Sequence, residues 1–98
     1  MTDESRRDAA LRAASELALD YLHALPDRHV GARADAQTVA RSLGGALPEH
    51  GEDPEAVVRF LAGAADPGLV ASAGPRYFGF VVGGALPASV ATDWLAAA

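Results

Sequence analysis

The sequence predicts a mostly α-helical chain that carries one extended, aromatic segment toward its C-terminal end. Apolar residues recur at intervals of three and four in several stretches, and capping residues or prolines mark where most of these stretches begin. In residues 74–84, aromatic and β-branched residues instead lie between glycines, which favours an extended backbone. These patterns predict three helices, then one extended segment and then a fourth helix.

The first helix is predicted to begin between Asp3 and Arg6 and to end at Pro26. Residues 26–34 contain proline and glycine without any period, so we expect an extended connection there. The apolar stripe of the helix consists of Leu11, Ala14, Ala18, Leu22 and Leu25, with Leu17 and Tyr21 beside it.

The second helix is predicted to be short, with Asp35 as its N-cap. The pair Gly44 and Gly45 is the predicted left-handed end of this helix. The third helix has the best-marked start in the chain, because a capping residue, Asp53, is followed by Pro54. The sequence Asp-Pro-Gly at residues 66–68 is expected to end it.

The fourth helix is predicted to begin near Pro87, with Val90 and Trp94 on one row. It runs into three alanines at residues 96–98 without a capping glycine or a basic residue. We therefore expect the reading frame to continue beyond residue 98.

The composition excludes several classes of function. The net charge is -5 and the isoelectric point is near 4.9, which removes the attraction to phosphate that nucleic-acid binding needs. The absence of cysteine excludes disulfides, thiolate zinc sites and thiol nucleophiles. The charged N-terminus is unlike a signal peptide, and no apolar run approaches the ~20 residues of a membrane span. We expect a cytoplasmic protein that binds neither nucleic acid nor membrane.

The histidines are weak candidates for catalysis or metal binding. His23 shares a helical face with Glu16 and Asp20, but that face is opposite the apolar stripe, where a solvated cluster of charges is the usual outcome. His29 and His50 lie in predicted loops without an obvious partner. No catalytic residue and no metal ligand is assigned.

Nucleophilic and phosphate-binding motifs are also missing. Ser72 lacks the Gly-x-Ser-x-Gly surroundings of an exposed nucleophile. All eight basic residues are arginines, so a Walker-type loop, which needs lysine, is impossible. The pair Gly83–Gly84 could bind an anion through backbone amides, although a tight turn is the more common use of such a pair.

The segment Arg76–Gly84 has two interpretations. Its apolar residues could form an extended stretch packed in a core. Alternatively, Gly79 and Gly83 leave backbone uncovered beside aromatic side chains, an arrangement that suits close approach of a ligand. The glycines favour the second interpretation, in which the segment is the wall of a pocket.

This segment also carries a family resemblance. Residues 74–84 read Gly-Pro-Arg-Tyr-Phe-Gly-Phe-Val-Val-Gly-Gly, followed by Ala-Leu-Pro-Ala and a helix through Asp-Trp-Leu at 93–95. Upstream, Leu-Pro-Asp-Arg at 25–28 and the glycine and proline pattern of 43–48 have matching order and spacing. Over nearly its whole length, the chain is similar to the group II pyridoxal-phosphate decarboxylases, which act on aromatic amino acids, glutamate or histidine.

The resemblance implies a fragment of a fold-type I α/β enzyme. Residues 1–68 would be its helical N-terminal arm, and residues 69–98 would begin the large pyridoxal-phosphate domain. The complete enzyme would be a homodimer that releases the α-carboxylate of an amino acid as carbon dioxide. The positions expected to line its substrate pocket are Phe80, Val81, Val82 and Gly83.

The resemblance also implies what this chain lacks. The family forms a Schiff base through a lysine, and its carboxylate and phosphate-binding donors likewise come from sequence after residue 98. We therefore expect no cofactor on this chain alone, and neither decarboxylation nor an internal aldimine.

Two departures from the family leave the substrate open. Many relatives have histidine where this chain has Gly74, and the enzymes of aromatic substrates have Pro-Thr where it has Val82–Gly83. The alternative from another functional class is a small stand-alone helical module that binds a protein partner.

Overall fold

The computed structural model describes all residues from 1 to 98, and 57% of them are helical. There are four α-helices and no strand, which confirms the mostly α-helical prediction. The helices are α1 (Asp3–Ala24), α2 (Ala36–Leu43), α3 (Pro54–Ala65) and α4 (Pro87–Ala97), and a single 3₁₀ turn covers Asp66–Gly68 after α3.

Local hydrogen bonds define the helix starts. The side chain of Asp35 accepts a hydrogen bond from the Thr38 backbone N–H at 2.8 Å, and Asp53 caps α3 in the same way. Both predicted caps are therefore confirmed. α1 begins at Asp3, the first residue of the predicted range, with Thr2 as its N-cap, whereas α4 has no side-chain cap. The left-handed end predicted for α2 is found at one of its two glycines. Gly45 has a positive φ of 144°, whereas Gly44 is extended.

The longest helix packs against the third. α1 lies against α3, and α2 lies against α3 and the 3₁₀ turn, while α4 makes no close backbone contact with another helix. The residue of α1 that is fully buried is Ala13, whereas Leu11 from the predicted stripe is 62% exposed. At 1.5 Å per residue α1 is about 33 Å long and α3 only about 18 Å, so α3 cannot cover the whole stripe.

Two loops meet in what we call the junction, formed by residues 25–34 and 66–76. The backbone N–H groups of Arg33 and Ala34 both donate to the Pro67 carbonyl, at 2.7 and 2.9 Å, and Ala71 N–H donates to the Val30 carbonyl at 2.8 Å. The buried residues of the junction are Leu25, Ala71 and Gly74. The loop begins with a turn, in which two N–H groups donate to the Ala24 carbonyl, so the extended connection predicted for residues 26–34 is wrong at its start.

The junction spans the boundary between the two predicted regions, residues 1–68 and 69–98. Its hydrogen bonds join residues on both sides of position 68, where the sequence suggests a division between the helical arm and a second domain. Residues 69–76 therefore pack with the helical arm. The division of the chain into 1–68 and 69–98 stays a prediction.

The aromatic segment is folded into turns, so the extended conformation predicted for residues 74–84 is wrong. Tyr77 N–H donates to the Gly74 carbonyl at 3.3 Å, and Val82 N–H donates to the Gly79 carbonyl at 3.0 Å. The preference of aromatic and β-branched residues for strands depends on packing against a neighbouring strand, and no strand is present to provide it.

The core of the molecule is small. The accessible surface is 7447 Å², roughly 2,200 Å² more than the surface of about 5,200 Å² expected for a folded monomer of this mass. The radius of gyration is 15.4 Å, compared with about 13 Å for a compact domain of similar length. Only three hydrophobic residues are buried, two of them alanines. None of the helices combines the length and the apolar character that crossing a membrane would require.

Candidate functional site

The residues predicted to line a substrate pocket lie together on the turn at Gly79–Gly83. The side chains of Phe80 and Val81 are almost completely exposed, at 93% and 106% of their reference areas. Val82 is also exposed, and Gly83 is half-buried. The neighbouring Phe78 is exposed as well. Phe80 is therefore not part of a core within this chain, and its place in a pocket wall stays a prediction.

The neighbouring Tyr77 explains why position 79 is a glycine. A Cβ atom at this position would lie 2.7 Å from the phenol oxygen of Tyr77, so the ring of Tyr77 already occupies the space beside the Gly79 backbone. The sequence suggested that this backbone was uncovered for a ligand. In the folded chain Tyr77 covers it instead.

A larger concave feature lies between α1, α3 and α4, and we call it the apolar groove. It consists of two clefts of about 760 and 410 Å³, a size typical of ligand sites. Leu22, Val90 and Trp94 line both clefts. The sequence predicted that these three side chains are apolar positions of helices. That they face one another could not be read from spacing, because Leu22 is 68 to 72 residues away from the other two along the chain.

The two arginines at the rim of the groove are already paired with carboxylates. Arg59 contacts Glu55 at 2.9 Å and Glu16 at 3.8 Å, and the second pair links α3 to α1. Arg28, at another edge, is engaged with Asp66. The groove therefore offers apolar contact, while the arginines at its rim are committed to the fold.

Arg28 is the most highly connected side chain of the junction. Its guanidinium donates to the Asp66 carboxylate and to the Asp66 carbonyl, both at 2.7 Å, and its centre lies 5.1 Å from the middle of the Tyr21 ring. Arg76 in turn donates to the Arg28 carbonyl. Arg28 thus ties the end of α1 to the turn after α3.

A small polar cleft opens beside Arg28, with Asp27, His29 and Arg33 at its edge. The cleft holds carboxylates as well as basic groups, because Asp66 also lines it. An anion entering this cleft would meet negative charge together with the arginines. The residues of this cleft stabilise the junction, and they do not form a clear site for an anion.

The histidine and acidic residues considered above form no metal site. His23, His29 and His50 are exposed, and Glu16 is in contact with Arg59. No group of three histidine, aspartate or glutamate side chains is arranged to hold a metal ion. Asp35 has a lowered pKa, caused mainly by the hydrogen bond from the Thr38 backbone and also by the Thr38 side chain, and this reflects its role as a helix cap.

Pyridoxal phosphate does not fit the residues of this chain. Its aldehyde needs a lysine amine, and every basic side chain here is arginine or histidine. The arginine with the most contacts, Arg28, is committed to Asp66. No catalytic step can be derived from the cofactor with these residues alone.

Comparisons with known proteins add no relative. No family model matches the chain, and no curated protein and no solved structure was found that matches it. The resemblance to decarboxylases therefore rests on the residues quoted above.

Proposed function

We propose that this chain is the N-terminal segment of a pyridoxal-phosphate-dependent amino-acid decarboxylase, in which it packs against the remainder of the enzyme and a second subunit. The turn with Phe80, Val81, Val82 and Gly83 would form part of the wall of the substrate pocket. The lysine and the groups that bind the cofactor would come from the remainder of the enzyme. The chain itself contributes apolar surface and no catalyst.

The observation that carries this proposal is the amount of surface left uncovered, including large apolar side chains. The excess of roughly 2,200 Å² in total accessible surface over a folded monomer lies within the range of about 1,000–2,500 Å² that each partner buries in a permanent complex. The exposed set includes aromatic side chains, which are rarely left in water in such number. Among them are Phe60, Phe78, Phe80 and Trp94.

The proposal is tested on the complete reading frame. We expect codons after position 98 to continue in frame and to encode a lysine and an aspartate that bind the cofactor. The complete protein should release carbon dioxide from an amino acid only when pyridoxal phosphate is present. A stop codon after position 98, or a complete protein without this activity, would contradict the proposal.

The isolated chain provides a second test. With its N-terminal amine blocked, it should give no stable imine absorbance with pyridoxal phosphate, because it has no lysine. An untreated sample, in which the terminal amine is free, is the matched control. A stable imine band in the blocked chain would contradict this expectation.

The junction favours a second candidate function, a small helical module that binds a protein partner. Its hydrogen bonds and the contact of α1 with α3 give the chain a folded centre of its own. Sedimentation and thermal unfolding distinguish the two functions. A segment of a larger enzyme should associate or unfold over a broad range of temperature, whereas a stand-alone module should be a monodisperse monomer with a sharp transition.

A further inference from the structure

The turn at Gly79–Gly83 contains two consecutive left-handed residues that are not glycine. The φ angles are 51° at Phe80 and 55° at Val81. Residues with a Cβ atom avoid this region, and for a β-branched residue such as valine it is a genuine outlier. The backbone of this turn is therefore held in an unfavourable conformation at two adjacent positions.

Little in the surroundings stabilises that conformation. Strained residues persist where packing around them leaves no alternative, but both side chains are almost fully exposed. One backbone hydrogen bond, from Val82 N–H to the Gly79 carbonyl, closes the turn. The local sequence, with an aromatic residue followed by two valines, prefers an extended backbone. Sequence preference and observed conformation thus oppose each other here.

We propose that residues 79–83 form a two-state segment, which exchanges between this turn and an extended conformation in the free chain. In the extended form the side chains of Phe80 and Val81 point to opposite faces, so a partner surface can cover one of them without the other. A ligand or protein that binds the extended form selects that form. The apparent affinity of such a partner is lowered in proportion to the fraction of chains that are in the turn conformation. This equilibrium belongs to the chain itself and does not depend on the decarboxylase assignment.

Two substitutions at one position fix the two states. Val81→Gly favours the turn, because glycine adopts positive φ without a steric penalty. Val81→Pro favours the extended form, because proline requires a negative φ and also moves Phe80 out of the helical regions. The N–H that proline removes makes no backbone hydrogen bond in the turn. Val81→Ala is the intermediate variant, since it keeps a Cβ but loses the branch.

The measurement is the one-bond coupling between Cα and Hα of Phe80, which depends on the sign of φ and can be recorded in all four proteins. We expect the natural chain to lie between the glycine and proline variants, and the alanine variant to lie nearer to glycine. The signals of Arg28 and Ala71 at the junction should be unchanged, which shows that each variant is folded. A natural chain that coincides with either the glycine or the proline variant has a single state, and this result would overturn the proposal.

Discussion

The junction and the C-terminal part of the molecule, residues 77–98, use apolar residues in opposite ways. At the junction, Leu25 and Ala71 are buried although the segments that carry them are loops. In residues 77–98, Phe78, Phe80 and Leu95 are exposed, and α4 makes no close backbone contact with another helix. Apolar character alone does not decide burial; a second segment must be brought close enough to cover the side chain.

Polar interactions bring the two segments of the junction together. Backbone hydrogen bonds and the guanidinium of Arg28 link residues that are about forty positions apart, and they do so in a region whose only regular element is the single 3₁₀ turn at Asp66–Gly68. Apart from the bond from Tyr77 N–H to the Gly74 carbonyl, the C-terminal part has hydrogen bonds only within its own turns and helix. The difference predicts that stability is concentrated at the junction.

The largest effect is expected from Leu25→Ala. Leu25 is 6% exposed, so its truncation should leave a cavity and cost about 2–4 kcal/mol of unfolding free energy. The matched control is Leu95→Ala on α4, where 78% exposure predicts a change within about 0.5 kcal/mol. Urea unfolding followed by circular dichroism measures both. Equal losses would mean that the C-terminal part is packed as firmly as the junction.

A smaller effect is expected from Arg28→Ala, which removes two charge-assisted contacts with Asp66 and the contact with Tyr21. We expect a loss of about 1.5–3 kcal/mol, toward the lower end because Asp66 is half exposed to solvent. Asp66→Asn is the matched variant, because it keeps the carbonyl that accepts from Arg28 and removes only the ion pair. Its loss should be below about 1 kcal/mol. If Asp66→Asn costs as much as Arg28→Ala, the carboxylate rather than the whole network holds the junction.

A still smaller effect concerns pH and α2. Hydrogen bonding from Thr38 lowers the pKa of Asp35 below its ordinary value of 3.8 in the folded chain. The stabilisation is therefore complete above the ordinary value and is lost as the pH falls through the lower folded value. NMR signals of α2 should show fraying in acid. Asp35→Asn retains a capping oxygen without a titrating group, so α2 should lose this pH dependence; an unchanged dependence would assign it to another carboxylate.

The smallest effect on the stability of this chain is expected from Phe80→Ala. Because Phe80 is 93% exposed, the unfolding free energy should change by less than about 0.5 kcal/mol. In the complete enzyme the same substitution should lower kcat/KM by roughly 10-fold to 200-fold, if Phe80 contacts the substrate. Phe60→Ala on α3 serves as the control and should leave kcat/KM unchanged. A loss of about 3–5 kcal/mol in the complete enzyme with kcat/KM intact would instead make Phe80 a core residue.

The candidate site illustrates how far sequence reasoning reaches. The string at residues 74–84 predicted that Phe80, Val81, Val82 and Gly83 line a substrate pocket, and that role stays a prediction. The structure shows that these consecutive residues form or directly follow one turn. The pattern could not reveal the turn itself, because its residue types are those of a strand and the outcome depended on whether another strand was adjacent. The apolar groove was missed because its lining comes from helices far apart in sequence.

The sequence by itself determined where α2 and α3 begin, because each of these two starts depends on a contact across three residues. Asp35 with Thr38 and Asp53 with Ala56 are such contacts. Only the tertiary structure decided that Ala13 rather than Leu11 is the buried residue of α1. The position and length of α3 determine which residues of α1 are buried, because the apolar stripe of a helix becomes part of a core only where another helix covers it.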